Sequence, residues 1–195
     1  MKMDTMLYMF ALMPTNEVSS YIQSRREELF ERFGFSKALK PPVHITLYDP
    51  FHIKKESAAS FENAVDQLQK WADSQPPFQI DLQDYGFFEN PKTPVVYIDV
   101  KKTSKIKDLQ ANFIKKLKQY IATEDKPKTY KPHVTIGYRD ITPDVFPAIK
   151  NYYSNQTFSA SFACSTFYLW RHNGQNWQIL KTFHLNGAVS QLSLF

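Results

Sequence analysis

Apolar positions change their period as the chain is read. From Leu7 to Met13 (LYMFALM) they form a short strand-like run, and from about Asn16 to Phe33 they recur at Val18, Ile22, Leu29 and Phe33. That spacing sets one apolar stripe along a helix, with Thr15 placed to cap its start and Gly34 to stop it. The run PPVHITLYDPF, residues 41 to 51, alternates instead. In a strand, His44, Thr46 and Tyr48 line one face and Val43, Ile45 and Leu47 the other, one reading as chemistry and the other as core. A second helix follows, with Phe61, Ala64, Val65, Leu68 and Trp71 on its buried side and Pro76 and Pro77 preventing its continuation. FQIDLQDYGFF then alternates as a strand.

PVVYIDVK, 94 to 101, opens a second pass: a strand, a helix striped by Ile106, Leu109, Phe113, Ile114, Leu117 and Ile121, then YKPHVTIGYRD. His44 and His133 lie 89 residues apart, as do Thr46 and Thr135, and the same offset sets Tyr8 on Tyr97 and Met9 on Ile98. A weaker helical pattern spans about 142 to 151, and FSASFACSTFYLWRHNGQNWQILKTFHL follows as strands with a two-residue hairpin signal at Asn173-Gly174. Strand, helix and H-x-T strand recurring in register predict an α+β fold made by duplication. It has two similar lobes, each an antiparallel sheet with helices on its outer face, related by an approximate two-fold with a cleft between them. The repeat units run from about 6 to 90 and 94 to 185, intertwined in one domain over 1–195, with 186–195 as a C-terminal tail.

Composition narrows the partner. A chain of 195 residues that is 43% hydrophobic and 15% aromatic has the material for its own core, and 12 Pro against 5 Gly favours defined turns over flexible linkers. A net charge of +5 leans toward a polyanion such as nucleic acid. Cys164, the single cysteine, forms no intramolecular disulfide, which points to a reducing compartment, the cytoplasm; within its apolar run it reads as a small buried hydrophobe. At the amino end, Asp4 and the short run ending at Pro14 read as a strand rather than a signal peptide. No apolar run approaches the ~20 residues that span a bilayer, so no membrane partner is expected, and the protein is expected to act as a monomer.

Neutral imidazole accepts a proton and imidazolium donates one, both forms being accessible near neutrality. One H-x-T triplet says little, because a lone histidine in an apolar setting is more often structural. Two at equivalent positions of a duplicated fold face one another across the cleft, and in-line displacement at phosphorus needs a base behind the attacking oxygen and an acid behind the leaving one. The threonines, two residues on along the same faces, are placed to donate to non-bridging phosphate oxygens.

The paired motifs His44-Ile45-Thr46-Leu47 and His133-Val134-Thr135-Ile136, in a duplicated chain of this length, resemble the two-histidine (2H) phosphoesterase superfamily. That family includes bacterial 2′-5′ RNA ligase-like proteins and RNA 2′,3′-cyclic phosphodiesterases. The resemblance implies a metal-free phosphodiesterase acting on nucleotides or RNA ends that carry a 2′,3′-cyclic phosphate or a 2′,5′ linkage, with His44, Thr46, His133 and Thr135 as catalytic residues. It further implies that His44 donates the proton and His133 accepts it. A reading of another class, a nucleotide or RNA binder that keeps the cleft without turnover, stays open.

No cofactor is expected. Zinc takes three protein ligands and a water, and only Asp49 and His52 stand near the pair as further candidates, His52 in a loop past Pro50, so no metal site is expected either. His172 and His184 read as ordinary surface residues. Between Lys101 and Lys131 ten lysines face only Asp108, Glu124 and Asp125; Lys105, Lys107, Lys115, Lys116 and Lys118 fall mostly off the apolar stripe and read as a solvated face, while Lys128 and Lys131 are placed to meet a phosphate. Tyr48 either stacks on a base or packs within the cleft. Arg139 shares the parity of His133, and either points at substrate or lies beyond the end of the strand.

Overall fold

The stripe of Val18, Ile22 and Leu29 forms a helix, α1 (Asn16–Phe33), with the caps expected of it: Thr15 accepts from the Val18 N–H, and Gly34 ends it at φ 80° with its N–H on Phe30 O. The computed structural model describes residues 6–53, 57–120 and 129–187, so Ile121, Lys128 and most of the expected tail lie outside the described residues. The other elements are β1 (Leu7–Leu12), a 3₁₀ turn (Lys37–Leu39), β2 (Ile45–His52), α2 (Ala58–Asp73), β3 (Phe78–Phe88), β4 (Val95–Lys101), α3 (Ser104–Leu117), β5 (His133–Gly137), α4 (Phe146–Ser154), β6 (Ser159–Cys164), β7 (Thr166–His172) and β8 (Trp177–His184). The last helix begins at Phe146 rather than near 142, with Val145 at its N-cap and Pro147 in its first turn.

Each strand pair is antiparallel, and the order is β6-β3-β4-β5-β2-β1-β7-β8. The α+β class holds, but the two expected sheets are the halves of one continuous sheet, joined where β2 meets β5 through a single pair, Ile45 and Val134. The halves are also interwoven. β3, from the first pass, pairs with β4, and β7, from the second, pairs with β1. α1 packs on β5 and β6 across the seam, and α3 on β2. One residue, Ser165, links β6 at one edge to β7 near the other; a link that short spans only about 7 Å, so the sheet must curl around its helices.

The helices cover one face. Phe10, Leu12, Ile45, Leu47, Val134, Ile136 and Phe167 pack there with Leu29, Leu68 and Phe113, all within 1% of full burial. Cys164 belongs to the same core, and burial pushes its thiol up to about 12, leaving it a small hydrophobe. The opposite face of β1 and β7 carries a smaller cluster of Met9, Ala11 and Trp170.

Two register shifts interrupt the ladders at equivalent places. On β2, Leu47 is an extra residue between the pairs Ala11–Thr46 and Phe10–Tyr48; on β5, Ile136 is the extra residue between Tyr97–Thr135 and Val96–Gly137. Structural equivalence therefore sets Ala11 on Tyr97 and Leu12 on Ile98, 86 residues apart, while the H-x-T strands keep 89. The expected superposition of Tyr8 on Tyr97 and Met9 on Ile98 is thus three residues out, because the connections inside the two passes differ in length. His52 lies in β2, not in a loop: past Ile45 the strand is paired only with β1, an edge where Pro50 is tolerated. At β7–β8 the loop runs from 173 to 176, because the Asn173 carboxamide accepts from the Gln175 and Asn176 N–H groups and widens the two-residue turn. Among the described residues no helix is long and apolar enough to cross a membrane.

Gly137 lets α1 pack close on β5: a Cβ there would lie 2.4 Å from Leu29 Cδ2 and 2.8 Å from Ile141 Cδ1. Gly137→Ala is expected to destabilise the fold by about 1–3 kcal/mol in urea unfolding, and Leu29→Ala in the same chain is expected to cost less than it does alone; strict additivity of the two would show that the contact is not made.

Candidate active site

The seam between β2 and β5 positions the chemistry. His44 stands one residue before β2 and His133 opens β5, flanking the Ile45–Val134 pair, so both motifs start on the two central strands. Residues directly opposite in an antiparallel pair share a face. Thr46 lies opposite Ala11, Thr135 opposite Tyr97 and His133 opposite Asp99. Ala11 belongs to the cluster on the helix-free face, and both Tyr97 and Asp99 have the parity of His133. Both histidines and both threonines thus stand on that face, while Ile45, Leu47, Val134 and Ile136 are buried beneath the helices.

Each imidazole is held the same way. His44 Nδ1 lies 2.7 Å from Pro42 O and His133 Nδ1 lies 2.7 Å from Lys131 O. A carbonyl oxygen only accepts, so Nδ1 carries the hydrogen in both rings and Nε2 is the nitrogen that exchanges a proton. Aromatic rings brace them symmetrically: Trp170 of β7 meets His44 edge-on at 5.1 Å, and Phe88 of β3 meets His133 edge-on at 5.0 Å. Tyr97 adds a second ring to His133 at 5.1 Å; it lies against Gly86, where a Cβ would come within 2.3 Å of the Tyr97 ring.

The surroundings break the symmetry. Burial pushes His44 down to about 4, against the hydrogen bond to Pro42 O, and the charges of Arg26 and His133 push the same way. Burial also lowers His133, but Asp99 and Asp49 oppose the shift. Met9, Met13 and Trp170 form the cluster on the His44 side, whereas Asp99 and Lys131 stand on the other. The Lys131 ammonium donates to the Tyr97 hydroxyl and sits 4.7 Å from the centre of that ring; the hydrogen bond to Tyr97 raises its pKa.

Side chains take over where the ladder stops. Arg26 of α1, 1% exposed, donates from Nε and Nη2 to Thr135 O at 3.1 and 3.0 Å and from Nη1 to Pro41 O at 2.8 Å. The Tyr130 hydroxyl donates to Thr46 O at 3.1 Å. Asp140 accepts from the Ser36 and Lys37 N–H groups, fastening the turn before the first motif to the segment after the second.

Two of the expected substrate contacts fall elsewhere. The extra residue Leu47 carries Tyr48 over to the helix face, opposite Phe10, where its ring packs against Phe51 and Phe113. β5 ends at Gly137, and Arg139 sits past it at φ 64°, exposed, with its guanidinium over the Tyr138 ring. Lys131 stays beside His133, and Lys128 lies outside the described residues. Arg26, Tyr130, Tyr97, Phe88 and Trp170 were not among the candidates. Arg26 had a signal, since it falls on the stripe of Val18 and Ile22 at the next four-residue step. Among the described residues no three or more His, Cys, Asp or Glu are grouped to hold a metal ion.

The sequence pattern of the 2′-5′ RNA ligase superfamily matches residues 14–176. No curated protein sequence matches the chain. Among solved structures, TT0787 of Thermus thermophilus superposes with a TM-score of 0.68 at 19% identity, over 94% of this chain and 100% of that one. LigT of E. coli in complex with NADP+ gives a TM-score of 0.60 at 18% identity, over 94% of this chain and 99% of LigT. The LigT complex with 3′-AMP gives 0.58 at 16% identity, over 93% and 99%. At these identities the likeness is one of fold.

In the free protein both imidazoles are expected to be neutral at pH 7 with the hydrogen on Nδ1, His44 taking up a second proton only near pH 4 and His133 below the ordinary 6.5. Nitrogen-15 and proton NMR titration reads both; a His44 pKa at or above 6.5 would contradict the burial described.

Proposed function

The chain belongs to the 2′-5′ RNA ligase superfamily, and on that premise we propose that it is a metal-independent phosphodiesterase that hydrolyses 2′,3′-cyclic phosphates, or 2′,5′ linkages, of nucleotides or RNA ends. The observation that carries the reading is the pair of imidazoles on the two central strands, each fixed through Nδ1 to a main-chain carbonyl two residues back, both on the helix-free face. E. coli LigT, which shares the fold, is solved in complex with 3′-AMP, which supports a nucleotide as ligand.

In the proposed reaction one Nε2 takes a proton from water as its oxygen bonds to phosphorus, and the other gives its proton to the ribose oxygen as the opposite P–O bond breaks. Thr46 and Thr135 donate to the non-bridging oxygens, and Lys131 is the nearby cation for the phosphate. The resemblance assigns donation to His44 and acceptance to His133. His44, near 4 in the free chain, needs the bound phosphate to donate at neutral pH, since an anion beside an imidazole raises its pKa.

Incubation with nucleoside 2′,3′-cyclic phosphates and 2′,5′-linked dinucleotides, followed by chromatography, tests the reading. His44→Ala and His133→Ala are each expected to lower kcat by about 10²- to 10⁴-fold, and Thr46→Ala or Thr135→Ala by about 10²-fold. Tight binding without turnover would favour the non-catalytic binder instead. The pH profile has a definite sign. Both free-state pKa values are lowered, His44 to about 4, so kcat/KM should peak on the acid side of 6.5, while the bell for kcat should lie at higher pH because the phosphate raises both values. Prolonged EDTA treatment should leave either bell at full height; loss of activity that added metal restores would sink the two-histidine mechanism.

A further inference from the structure

Past the single pair Ile45–Val134, the carbonyls of Thr46 and Thr135 receive their hydrogen bonds from side chains: the first from Tyr130, the second from Arg26. Arg26 also holds Pro41 O, and the next carbonyl along, Pro42 O, takes the His44 Nδ1 hydrogen. One planar guanidinium therefore ties the main chain entering the first motif to the main chain two residues past His133. Its donors form a rigid fork, so it fixes a distance that a single ammonium cannot. Tyr130 makes the reciprocal tie, from three residues before His133 to the first motif's threonine. Both side chains grip carbonyls and neither belongs to the catalytic set.

We propose that Arg26 and Tyr130 are positioning residues: they substitute for the missing β2–β5 ladder and set the separation of His44 and His133 for a phosphodiester between them. The proposal rests on the two-histidine reading. Its physical basis is that acid and base acting on one phosphorus must both be in place at once, and a displacement of about 1 Å costs about 100-fold in rate. Because both ties act on one coordinate, the spacing across the seam, their losses should not multiply.

The test measures kcat and KM on a nucleoside 2′,3′-cyclic phosphate for wild type, Arg26→Lys, Tyr130→Phe, the double variant and His44→Ala, with a thermal melt of each. Arg26→Lys keeps the charge but loses the fork, and is expected to lower kcat by about 10- to 100-fold with KM within about twofold. Tyr130→Phe removes one hydroxyl from a packed ring and is expected to lower kcat of the folded fraction by about five- to tenfold, with the melting temperature lowered by only about a few degrees. The double variant should lose clearly less than the product of the two. A purely structural role would lower the melting temperature and leave kcat of the folded fraction intact, and that result overturns the proposal. So does a wild-type kcat in Tyr130→Phe, which keeps the test decisive even if Arg26→Lys fails to fold. If His44→Ala keeps wild-type activity, the two-histidine reading itself falls; if His44→Ala is inactive while both tie variants keep wild-type kcat, only the positioning role falls.

Discussion

The structure depends on a buried cation with no surface to retreat to. Arg26 sits on the buried stripe of α1 at 1% exposure, its pKa lowered to about 10 by burial, and its three hydrogen bonds go to main-chain oxygens on both sides of the β2–β5 seam. A buried charge is costly unless its donors are satisfied, and unpaired strand carbonyls are costly too. At this seam the two problems solve each other. Removing the guanidinium would leave Thr135 O and Pro41 O without these donors, so the helix, the seam and both motifs stand or fall together.

The same seam sets the two histidines. β2 and β5 are joined through the single pair Ile45–Val134, and His44 and His133 flank that pair on the helix-free face. The two halves are nearly symmetric, with matching Nδ1 anchors on carbonyls two residues back, matching edge-on rings from Trp170 and Phe88, and matching extra residues at Leu47 and Ile136. The small and large partners are exchanged between halves: Ala11 lies opposite Tyr168, and Tyr97 opposite Gly86. What differs is charge, with Asp99 and Lys131 on one side and a methionine and tryptophan cluster on the other. Burial lowers both imidazoles, and carboxylates, those of Asp99 and Asp49, oppose the shift only at His133.

Much of this was legible in the chain, for identifiable reasons. Period and caps located α1 to the residue, because Thr15 and Gly34 act locally, and alternation carried both motifs to the correct face over the three residues from histidine to threonine. In the first motif, alternation failed two residues later, at Tyr48. The extra residue at Leu47 is a property of the pairing with β1, so no local pattern announces that Tyr48 crosses to the helix face; β5 ends before Arg139 at Gly137, which lies opposite Val96 near the start of β4. The run FSASFACSTFYLW reads as continuous, yet Ser165 divides it between strands near opposite edges of the sheet, which only the curl of the whole sheet decides. Arg26 on an apolar stripe was visible but unexplained until its acceptors, 15 and 109 residues away, were in place.

The central claim is that the two Nε2 atoms flank one phosphorus. It is tested most directly by a crystal structure with a nucleoside and vanadate, which together imitate the five-coordinate state of in-line displacement. The account predicts vanadium between β2 and β5, its apical oxygens each within hydrogen-bonding distance of Nε2 of His44 and of His133, and the Thr46 and Thr135 hydroxyls on its equatorial oxygens. Vanadate bound with only one histidine at an apical oxygen, or held anywhere other than between the two motifs, would contradict it.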